Sequence, residues 1–246
     1  DNFCMKKIIG LFFVLSIGLN FSFAKGRADI DIPFDNVEYG LRAQDIKEEE
    51  ELKPLYTLKK PAGELINLKE SWGYVMQNRE SEYNSDIPLT DVCYFAAEIN
   101  SYGELAGVPK RSSLDVGNAR CHLVIVCESK SLTHFILNPN YDLRKQLIKD
   151  IVKAGAAYDG VQIDFELVPE RDRKHFITFL SDLRYSLGSA KWFTVCVPAR
   201  VKLLSEDIYP YAEIAKYSDR VFIMAYDESW SGSKPGPIAS VDWCRK

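Results

Sequence analysis

One stretch of eight residues, Asp159 to Glu166, constrains the fold of this chain more than any other part. Side chains alternate between the two faces of a strand, so Gln162, Asp164 and Glu166 would share one face and three apolar residues the other. Helical patterns flank the stretch, and a parallel strand between helices is normally covered on both faces. Because burying carboxyl groups is costly unless they are paired or used, the stretch predicts a buried strand with a chemically active face.

Short apolar runs alternate with helical patterns from Trp72 onward, which is typical of βα units built around a parallel sheet. The six runs that we predict as strands are 72–76, 92–97, 123–127, 160–165, 193–197 and 221–225. One helix is predicted by apolar residues spaced between Leu143 and Val152, and another is predicted to begin at Pro169 and stop at Gly188. The alternation alone fits a doubly wound sheet as well as a barrel.

The first part of the chain lacks this pattern and is predicted to lie outside the main domain. Residues 1–24 are predicted to be a signal peptide, with extra residues before Met5, because two lysines, an apolar run and a small-residue cleavage site ending at Ala24 follow one another. We therefore expect a secreted, periplasmic or cell-envelope protein, with an uncleaved anchor as the alternative. Residues 25–69 contain a charge run and prolines, which predict a linker or N-terminal extension.

The composition excludes some classes of function. The chain is 46% hydrophobic and 27% charged, as globular domains are, and its formal charge of -4 includes no basic stripe that would bind nucleic acid. Its three histidines lack the spacing of metal ligands, so no metal and no other cofactor is expected. Five cysteines follow the predicted signal peptide and four of them lie in apolar runs, which favours buried free thiols over disulfides.

Two motifs resemble glycoside hydrolase family 18, the chitinase-like TIM barrels. The first stretch matches three of four positions in the family's Asp-x-x-Asp-x-Asp-x-Glu strand, namely Asp159, Asp164 and Glu166. Gln162 stands where most members have an aspartate, and an amide there is similar to the branch of bacterial spore-cortex and peptidoglycan N-acetylglucosaminidases. The segment 221–227 resembles the family's sixth strand, which ends in Met-x-Tyr-Asp.

The resemblance implies an α/β protein with a (β/α)8 TIM-barrel fold over about residues 70–246. A complete barrel of this type takes ~250 residues, which is more than follow residue 70. We therefore expect a partial catalytic barrel, truncated after about six strands, with exposed edges at the first and sixth strands and low stability in isolation. A monomer without stable membrane insertion is expected.

The resemblance also implies a reaction, the cleavage of β-1,4 bonds in N-acetylglucosamine-containing polysaccharides such as peptidoglycan or chitin. Glu166 would act as acid and then base, Asp164 would orient the substrate's 2-acetamido group, and Tyr226 would bind its carbonyl. The acetamido oxygen would attack the anomeric carbon, so configuration would be retained. Glu166 needs a raised pKa, which burial and Asp164 would supply. With Gln162 beside it, Asp164 is expected to stay ionised.

Further candidates for substrate binding follow from the same resemblance: Gln162, Asp227, Met224, Trp230 and Tyr74. Trp230 could stack on a sugar or pack as a rim residue, and the two interpretations are equally supported. Tyr74 and Glu98, predicted near the ends of the first two strands, are weaker candidates for which structural roles are favoured. Asp159, at the entry to its strand, is likewise expected to be structural.

Two other classes of function stay open at this point. A non-catalytic glycan-binding protein of the chitinase-lectin type usually lacks the terminal glutamate, whereas Glu166 is present. A metal-dependent phosphoesterase would use Asp164 and Glu166 as ligands but would need further clustered acidic or histidine residues. The sequence favours an exported glycoside hydrolase over both.

Overall fold

A computed structural model describes residues 68–202 and 204–245, and its helices and strands lie in one compact unit that begins at Lys69. The strands are β1 (Trp72–Met76), β2 (Asp91–Ile99), β3 (Leu105–Ala106), β4 (Arg120–Cys127), β5 (Gly160–Phe165), β6 (Trp192–Pro198) and β7 (Arg220–Met224). The helices are α1 (Lys130–Leu137), α2 (Arg144–Gly155), α3 (Arg173–Leu187), α4 (Tyr211–Ile214) and α5 (Val241–Cys244). The predicted signal peptide and almost all of the predicted linker lie outside the described residues.

Six strands form one parallel sheet in chain order, β1-β2-β4-β5-β6-β7, and the two-residue β3 pairs antiparallel with β2. Strands that are neighbours both in sequence and in space are typical of a (β/α)8 barrel wall. A doubly wound sheet would instead reverse its strand order part-way across. The topology therefore excludes the doubly wound alternative and confirms the predicted fold class, a partial α/β barrel.

The sheet is curled, so that its two end strands approach each other at their amino ends. In a flat sheet β1 and β7 would lie about 24 Å apart, given ~4.8 Å between neighbouring strands. The ring centroids of Trp72 on β1 and Phe222 on β7 are instead 4.7 Å apart. Glu70, just before β1, accepts a hydrogen bond from Arg220 Nε at 3.0 Å and forms an ion pair with that guanidinium. The edge strands of the sheet are thus β1 and β7, as predicted. The contacts between Trp72 and Phe222 and between Glu70 and Arg220 join them at their amino ends.

The curled sheet separates two apolar layers. The larger layer packs between the sheet and the helices, and it contains the outward side chains of β5, which are Val161, Ile163 and Phe165. Within that layer Phe165 stacks on Phe179 of α3 with ring centroids 5.5 Å apart. The smaller layer fills the inside of the curl and consists of Trp72, Cys93, Val124, Val126, Cys196 and Phe222. The alternation predicted for β5 therefore holds, with its apolar side chains facing the helices.

The six predicted strands are all present in the structure. β1 and β5 have the predicted bounds, and the other four begin one to three residues earlier than predicted. The predicted start of the last long helix at Pro169 is wrong, because α3 begins at Arg173. A 3-10 turn comes first, and it directs the buried carboxylate of Asp172 toward the Nδ1 atoms of His134 and His175 at 2.7 and 3.1 Å.

The cysteines of the strands are buried within the sheet. Cys93, Cys121, Cys127 and Cys196 are free and buried, whereas the free thiol of Cys244 is exposed. Burial raises the pKa of the Cys121 thiol to about 11, so this group stays protonated and behaves as a small apolar side chain. Among the described helices, none is long and apolar enough to cross a lipid bilayer.

A charged cluster holds the amino ends of the strands together around Asp91. This side chain is fully buried, and its carboxylate accepts hydrogen bonds from Arg120 Nε at 2.6 Å and Arg120 Nη2 at 2.7 Å. His122 Nε2 and Thr90 Oγ1 each lie 2.7 Å from the same carboxylate. Burial alone would raise the pKa of Asp91, but the hydrogen bonds from His122, Arg120 and Thr90 hold the pKa below its ordinary value. Asp91 is therefore a structural anion.

We predict that Asp91→Asn destabilises the fold by about 3 kcal/mol or more, because it leaves Arg120 without its counter-charge and removes the carboxylate that bonds to the buried His122. Urea unfolding monitored by circular dichroism measures this change. Asp182→Asn is the matched control, since Asp182 is half exposed and lies 3.8 Å from Arg144, so its loss should cost less than about 1 kcal/mol. Equal losses in the two variants would contradict a structural role for the buried anion.

Candidate active site

The polar face of β5 points into the curl and ends at the carboxyl side of the sheet. Gln162 and Asp164 are in register with Val124 and Val126 of β4, and both valines belong to the inner apolar layer. In-register neighbours on adjacent strands share a face, so both polar side chains line the inside of the curl. Glu166 follows immediately after the strand, and barrel active sites lie at this end.

Asp164 is the most deeply buried acid at this end of the sheet. Its side chain is 5% exposed, and its Oδ1 atom has no hydrogen-bond partner among the described residues. Burial and the nearby carboxylates of Glu166 and Glu128 raise its pKa to about 7, and a hydrogen bond from Cys196 offsets only part of this effect. The expectation that Asp164 stays ionised is therefore wrong, because its site supplies no cation and the side chain is half protonated near neutral pH.

Glu166 sits at the mouth of the curl, where its side chain is exposed at one edge. Its backbone N–H donates to the carbonyl oxygen of Cys127 at 3.3 Å, which fixes it beside the end of β4. Partial burial raises the pKa of Glu166, and the charges of Glu128 and Asp227 raise it further. Asp164 and Glu166 also repel each other when both are ionised, and this repulsion is one cause of the raised pKa of Asp164.

Gln162 is held by a hydrogen-bonded chain across the inside of the curl. The hydroxyl of Tyr74 donates to Gln162 Oε1 at 2.7 Å, and Gln162 Nε2 donates to Thr194 Oγ1 at 3.1 Å. Tyr74 lies in the middle of β1, not near its end as predicted, and its ring is partly exposed along this edge strand while its hydroxyl is buried. The amide of Gln162 therefore has a fixed orientation beneath Asp164.

The segment after β7 brings a second group of predicted residues to the same mouth. Met224 ends β7 and packs against the inner apolar layer, so alternation directs Tyr226 toward the same side. Burial raises the pKa of Tyr226, and the charges of Asp164 and Glu166 raise it further. Asp227 adopts a left-handed backbone with φ of 64°, which aspartate tolerates better than most residues and which turns the chain away from the strand.

The three remaining predicted residues lie in different parts of the fold. Trp230 is 63% exposed, and its ring lies against Gly232, where an added Cβ would meet ring carbons. Glu98 is exposed near the end of β2 and pairs through its backbone with Ala106 of β3. Asp159 acts at the opposite end of β5, where its Oδ2 atom accepts from the backbone N–H of Cys121 at 2.7 Å.

Tyr209 is a residue at this site that the sequence analysis missed. Its hydroxyl donates to the carbonyl oxygen of Phe165 at 2.7 Å and accepts from the backbone N–H of Val168 at 3.1 Å. These two bonds bracket Glu166 and fix the backbone on both sides of it. Only the three-dimensional fold reveals this contact, because Tyr209 lies more than forty positions from Phe165 in the chain.

Comparisons with known proteins agree with this geometry. The family model described as "Glycosyl hydrolases family 18" matches residues 130–243. This range includes β5, β7 and the segment that follows each of these strands. Residues 130–243, just under half of the chain, are therefore similar to glycoside hydrolase family 18. The Bacillus subtilis (strain 168) protein YdhD, which is named as a sporulation-specific glycosylase, is 36% identical over 126 residues, or 48% of this chain and 29% of YdhD.

Solved structures with a similar fold are also known. The crystal structure of YdhD from Bacillus subtilis is 29% identical, with a TM-score of 0.56 over 62% of this chain and 55% of that one. The Bacillus cereus spore cortex-lytic enzyme SleL has a TM-score of 0.62 at 23% identity, over 71% of this chain and 45% of SleL, which shows a shared fold. The chain spans less than a third of the length of the curated relatives that it matches.

The raised pKa of Asp164 predicts a stability that depends on pH. Because the folded state holds this proton more tightly than the unfolded state, the stabilisation is present at acid pH and is lost as pH rises from about 4 to about 7. Asp164→Asn removes this dependence and should be more stable than the wild type near pH 8, by on the order of a few kcal/mol. Urea unfolding of both proteins across this pH range measures the difference, and a constant difference would contradict the burial argument.

The bridging role of Tyr209 predicts a local loss of order around Glu166. Tyr209→Phe keeps the ring but removes the hydroxyl, so the buried N–H of Val168 loses its partner at a cost of about 1–3 kcal/mol. Hydrogen exchange should become faster at Val168 and at the residues around it. The exposed Tyr185 provides the matched control, because Tyr185→Phe removes a hydroxyl from a side chain that is 90% exposed. Unchanged exchange at Val168 in Tyr209→Phe would exclude the bridge.

Proposed function

We propose that this protein is an exported retaining glycoside hydrolase that cleaves β-1,4 bonds of N-acetylglucosamine-containing glycans, either peptidoglycan or chitin-like polymers. One observation carries the proposal: Asp164, Glu166 and Tyr226 converge at the carboxyl end of the sheet, with both acids shifted toward their protonated forms. An acid that holds its proton near neutral pH can donate it to a leaving group. The similarity of residues 130–243 to glycoside hydrolase family 18 supports the same chemistry.

Glu166 is the general acid and then the general base of this reaction. In the first step its carboxyl proton passes to the glycosidic oxygen as the bond to the anomeric carbon breaks. The carbonyl oxygen of the substrate's own 2-acetamido group forms the new bond to that carbon, so an oxazolinium intermediate results and no protein nucleophile is required. In the second step the Glu166 carboxylate takes a proton from water as the water attacks, and configuration at the anomeric carbon is retained.

Asp164 and Tyr226 hold the acetamido group during these steps. The unpartnered Oδ1 atom of Asp164 is free to accept the acetamido N–H, which would satisfy an otherwise costly buried oxygen. Bringing this N–H donor to Asp164 favours the ionised carboxylate, as does the positive charge that develops on the acetamido nitrogen. The hydroxyl of Tyr226 donates to the acetamido oxygen. Substrate binding therefore restores the charge on Asp164 that burial suppresses.

The remaining candidates shape the site around this centre. Gln162 supports Asp164 from below through the bonds that it makes with Tyr74 and Thr194. Met224 forms part of the apolar wall, and Asp227, at the turn after β7, contacts a sugar hydroxyl. The exposed Trp230 is available to stack on a sugar ring farther along the glycan. The protein acts as a monomer and requires no metal or other cofactor.

The relatives support a bacterial cell-wall glycan as the substrate. SleL is named as a spore cortex-lytic enzyme and YdhD as a sporulation-specific glycosylase. Chitinases of the same fold include one from Bacteroides thetaiotaomicron, with a TM-score of 0.60 at 23% identity. We therefore rank peptidoglycan above chitin. A signal peptide over residues 1–24 would deliver the enzyme to such a substrate outside the cytoplasm.

We predict that Glu166→Gln lowers kcat by about a hundredfold or more, because the amide is isosteric but cannot donate a carboxyl proton. Release of N-acetylated reducing sugars from purified peptidoglycan and from chitin oligomers measures this loss. Glycan binding should persist in the variant, since the fold and Asp164 are unchanged.

Glu104→Gln is the matched control for this substitution. Glu104 is exposed in the loop after β2, and its Oε2 atom accepts from Asn100 Nδ2 at 3.0 Å, so the variant changes the same charge at the same end of the sheet. Its activity should stay within about twofold of the wild type. Equal activity of Glu166→Gln and the wild type would remove Glu166 from the mechanism. Glycan binding by the wild type without any turnover would favour the lectin alternative.

A further inference from the structure

The pairing of β4 with β5 sets a second glutamate beside Glu166. The last register pair of these parallel strands is Cys127 with Phe165, and the backbone N–H of Glu166 donates to the carbonyl oxygen of Cys127. The residue that follows each strand is a glutamate, Glu128 after β4 and Glu166 after β5. Neighbouring strands lie ~4.8 Å apart, and in-register residues share a face. Glu128 and Glu166 therefore occupy neighbouring positions at the mouth of the curl, immediately after adjacent strands.

The backbone around Glu128 is fixed from both sides. Before it, the thiol of Cys127 lies 3.2 Å from the hydroxyl of Thr133. After it, Ser129 caps α1, because its Oγ atom accepts from Leu132 N at 3.3 Å and its carbonyl oxygen accepts from Thr133 N at 2.8 Å. Glu128 thus occupies a single position between the end of a strand and the start of a helix. Its distance from Glu166 is set by the fold and not by a mobile loop.

The position of Glu128 gives it an electrostatic effect on both acids of the site. Beyond the effect of burial, Glu128 raises the pKa of Glu166 and, together with Glu166, the pKa of Asp164. The side chains of Glu128 and Glu166 are both exposed, whereas that of Asp164 is buried. The charge of Glu128 therefore disfavours the ionised forms of both Glu166 and Asp164.

We propose that Glu128 is a positioning residue for the proton of Glu166: its carboxylate, held in register at the mouth of the curl, keeps Glu166 protonated until the leaving group takes that proton. This role rests on the function proposed above. It also assists the second step, because an ionised Glu166 beside Glu128 gains more by taking a proton from water. The titratable groups around Glu166 include Glu128, Asp164, Cys196, Tyr209, Tyr226 and Asp227, and none of these is a cation.

The first test is the dependence of kcat/KM on pH for the full chain and for Glu128→Gln, with peptidoglycan fragments as substrate. The profile of kcat/KM against pH has an alkaline limb, along which Glu166 loses its proton. This limb should move toward lower pH in Glu128→Gln. At about pH 8 its kcat/KM should be roughly threefold to tenfold below the wild type, with values near pH 5 within about twofold. Glu128→Asp keeps the charge and should keep most of the wild-type limb. Glu104→Gln should reproduce the wild-type profile.

Ionic strength separates an electrostatic role from a purely structural one. Raising the salt concentration from about 0.02 M to about 0.5 M shortens the screening length from roughly 20 Å to roughly 4 Å. The alkaline limb of the wild type should then move toward that of Glu128→Gln, whereas the limb of the variant should hardly move. A drop in kcat/KM that is uniform across pH and insensitive to salt would mean that Glu128 contacts substrate directly, and it would overturn the proposal.

A carbon-13 titration of the Glu166 carboxyl group supplies a readout that does not depend on turnover. Glutamate labelled at the side-chain carboxyl is introduced into the wild type and Glu128→Gln, and the Glu166 signal is assigned as the one missing in Glu166→Gln. Its midpoint should lie at lower pH in Glu128→Gln than in the wild type. Identical midpoints would overturn the role of Glu128 even if the wild type hydrolyses glycans. A shifted midpoint in a chain without turnover would retain the coupling and reject the proposed function instead.

Discussion

The burial of one carboxyl group, that of Asp164, is the constraint on which the site depends. Its outward neighbours on β5 pack among the helices, so this strand cannot shift by one residue without exposing an apolar face and burying a polar one. The free energy gained in that outer layer therefore holds Asp164 where water cannot solvate it. Burial in this position raises the pKa of Asp164 to about 7, so the carboxyl group is half protonated at neutral pH.

The curl of the sheet brings the groups of the site within reach of one another. Tyr74 lies on the first strand and Cys196 on the fifth strand of the parallel sheet, yet the Tyr74 hydroxyl is 3.8 Å from the Cys196 sulfur. The same hydroxyl bonds to Gln162 on β5, one of the three strands between them. Such contacts across the inside require the ends of the sheet to approach, which the ion pair of Glu70 with Arg220 supports at the amino side. Curvature, and not strand order alone, thus assembles the polar floor.

The sequence sufficed where local patterns decide the structure. Alternation gave the buried polar face of β5 and the bounds of two strands, because burial on both sides of a parallel strand is a strong signal. It did not reveal Tyr209 or Glu128, whose roles depend on which backbone or carboxylate lies opposite them in the folded chain. The prediction that Asp164 stays ionised was wrong for the same reason. The protonation of Asp164 depends on the absence of a facing cation and not on the residue at position 162.

A buried aspartate lies at each end of the sheet, and the two have pKa values that are shifted in opposite directions. At the amino end, the fully buried Asp91 faces Arg120 and His122, which lower its pKa and make it a fixed structural charge. At the carboxyl end, the nearly buried Asp164 faces other acids and a thiol, which leave its proton available for exchange. Burial therefore does not distinguish a structural aspartate from a chemically active one, whereas the charges of the neighbouring side chains do. An arginine beside Asp91 therefore stabilises a structural charge, whereas the lack of one beside Asp164 leaves that carboxyl group able to gain and lose a proton.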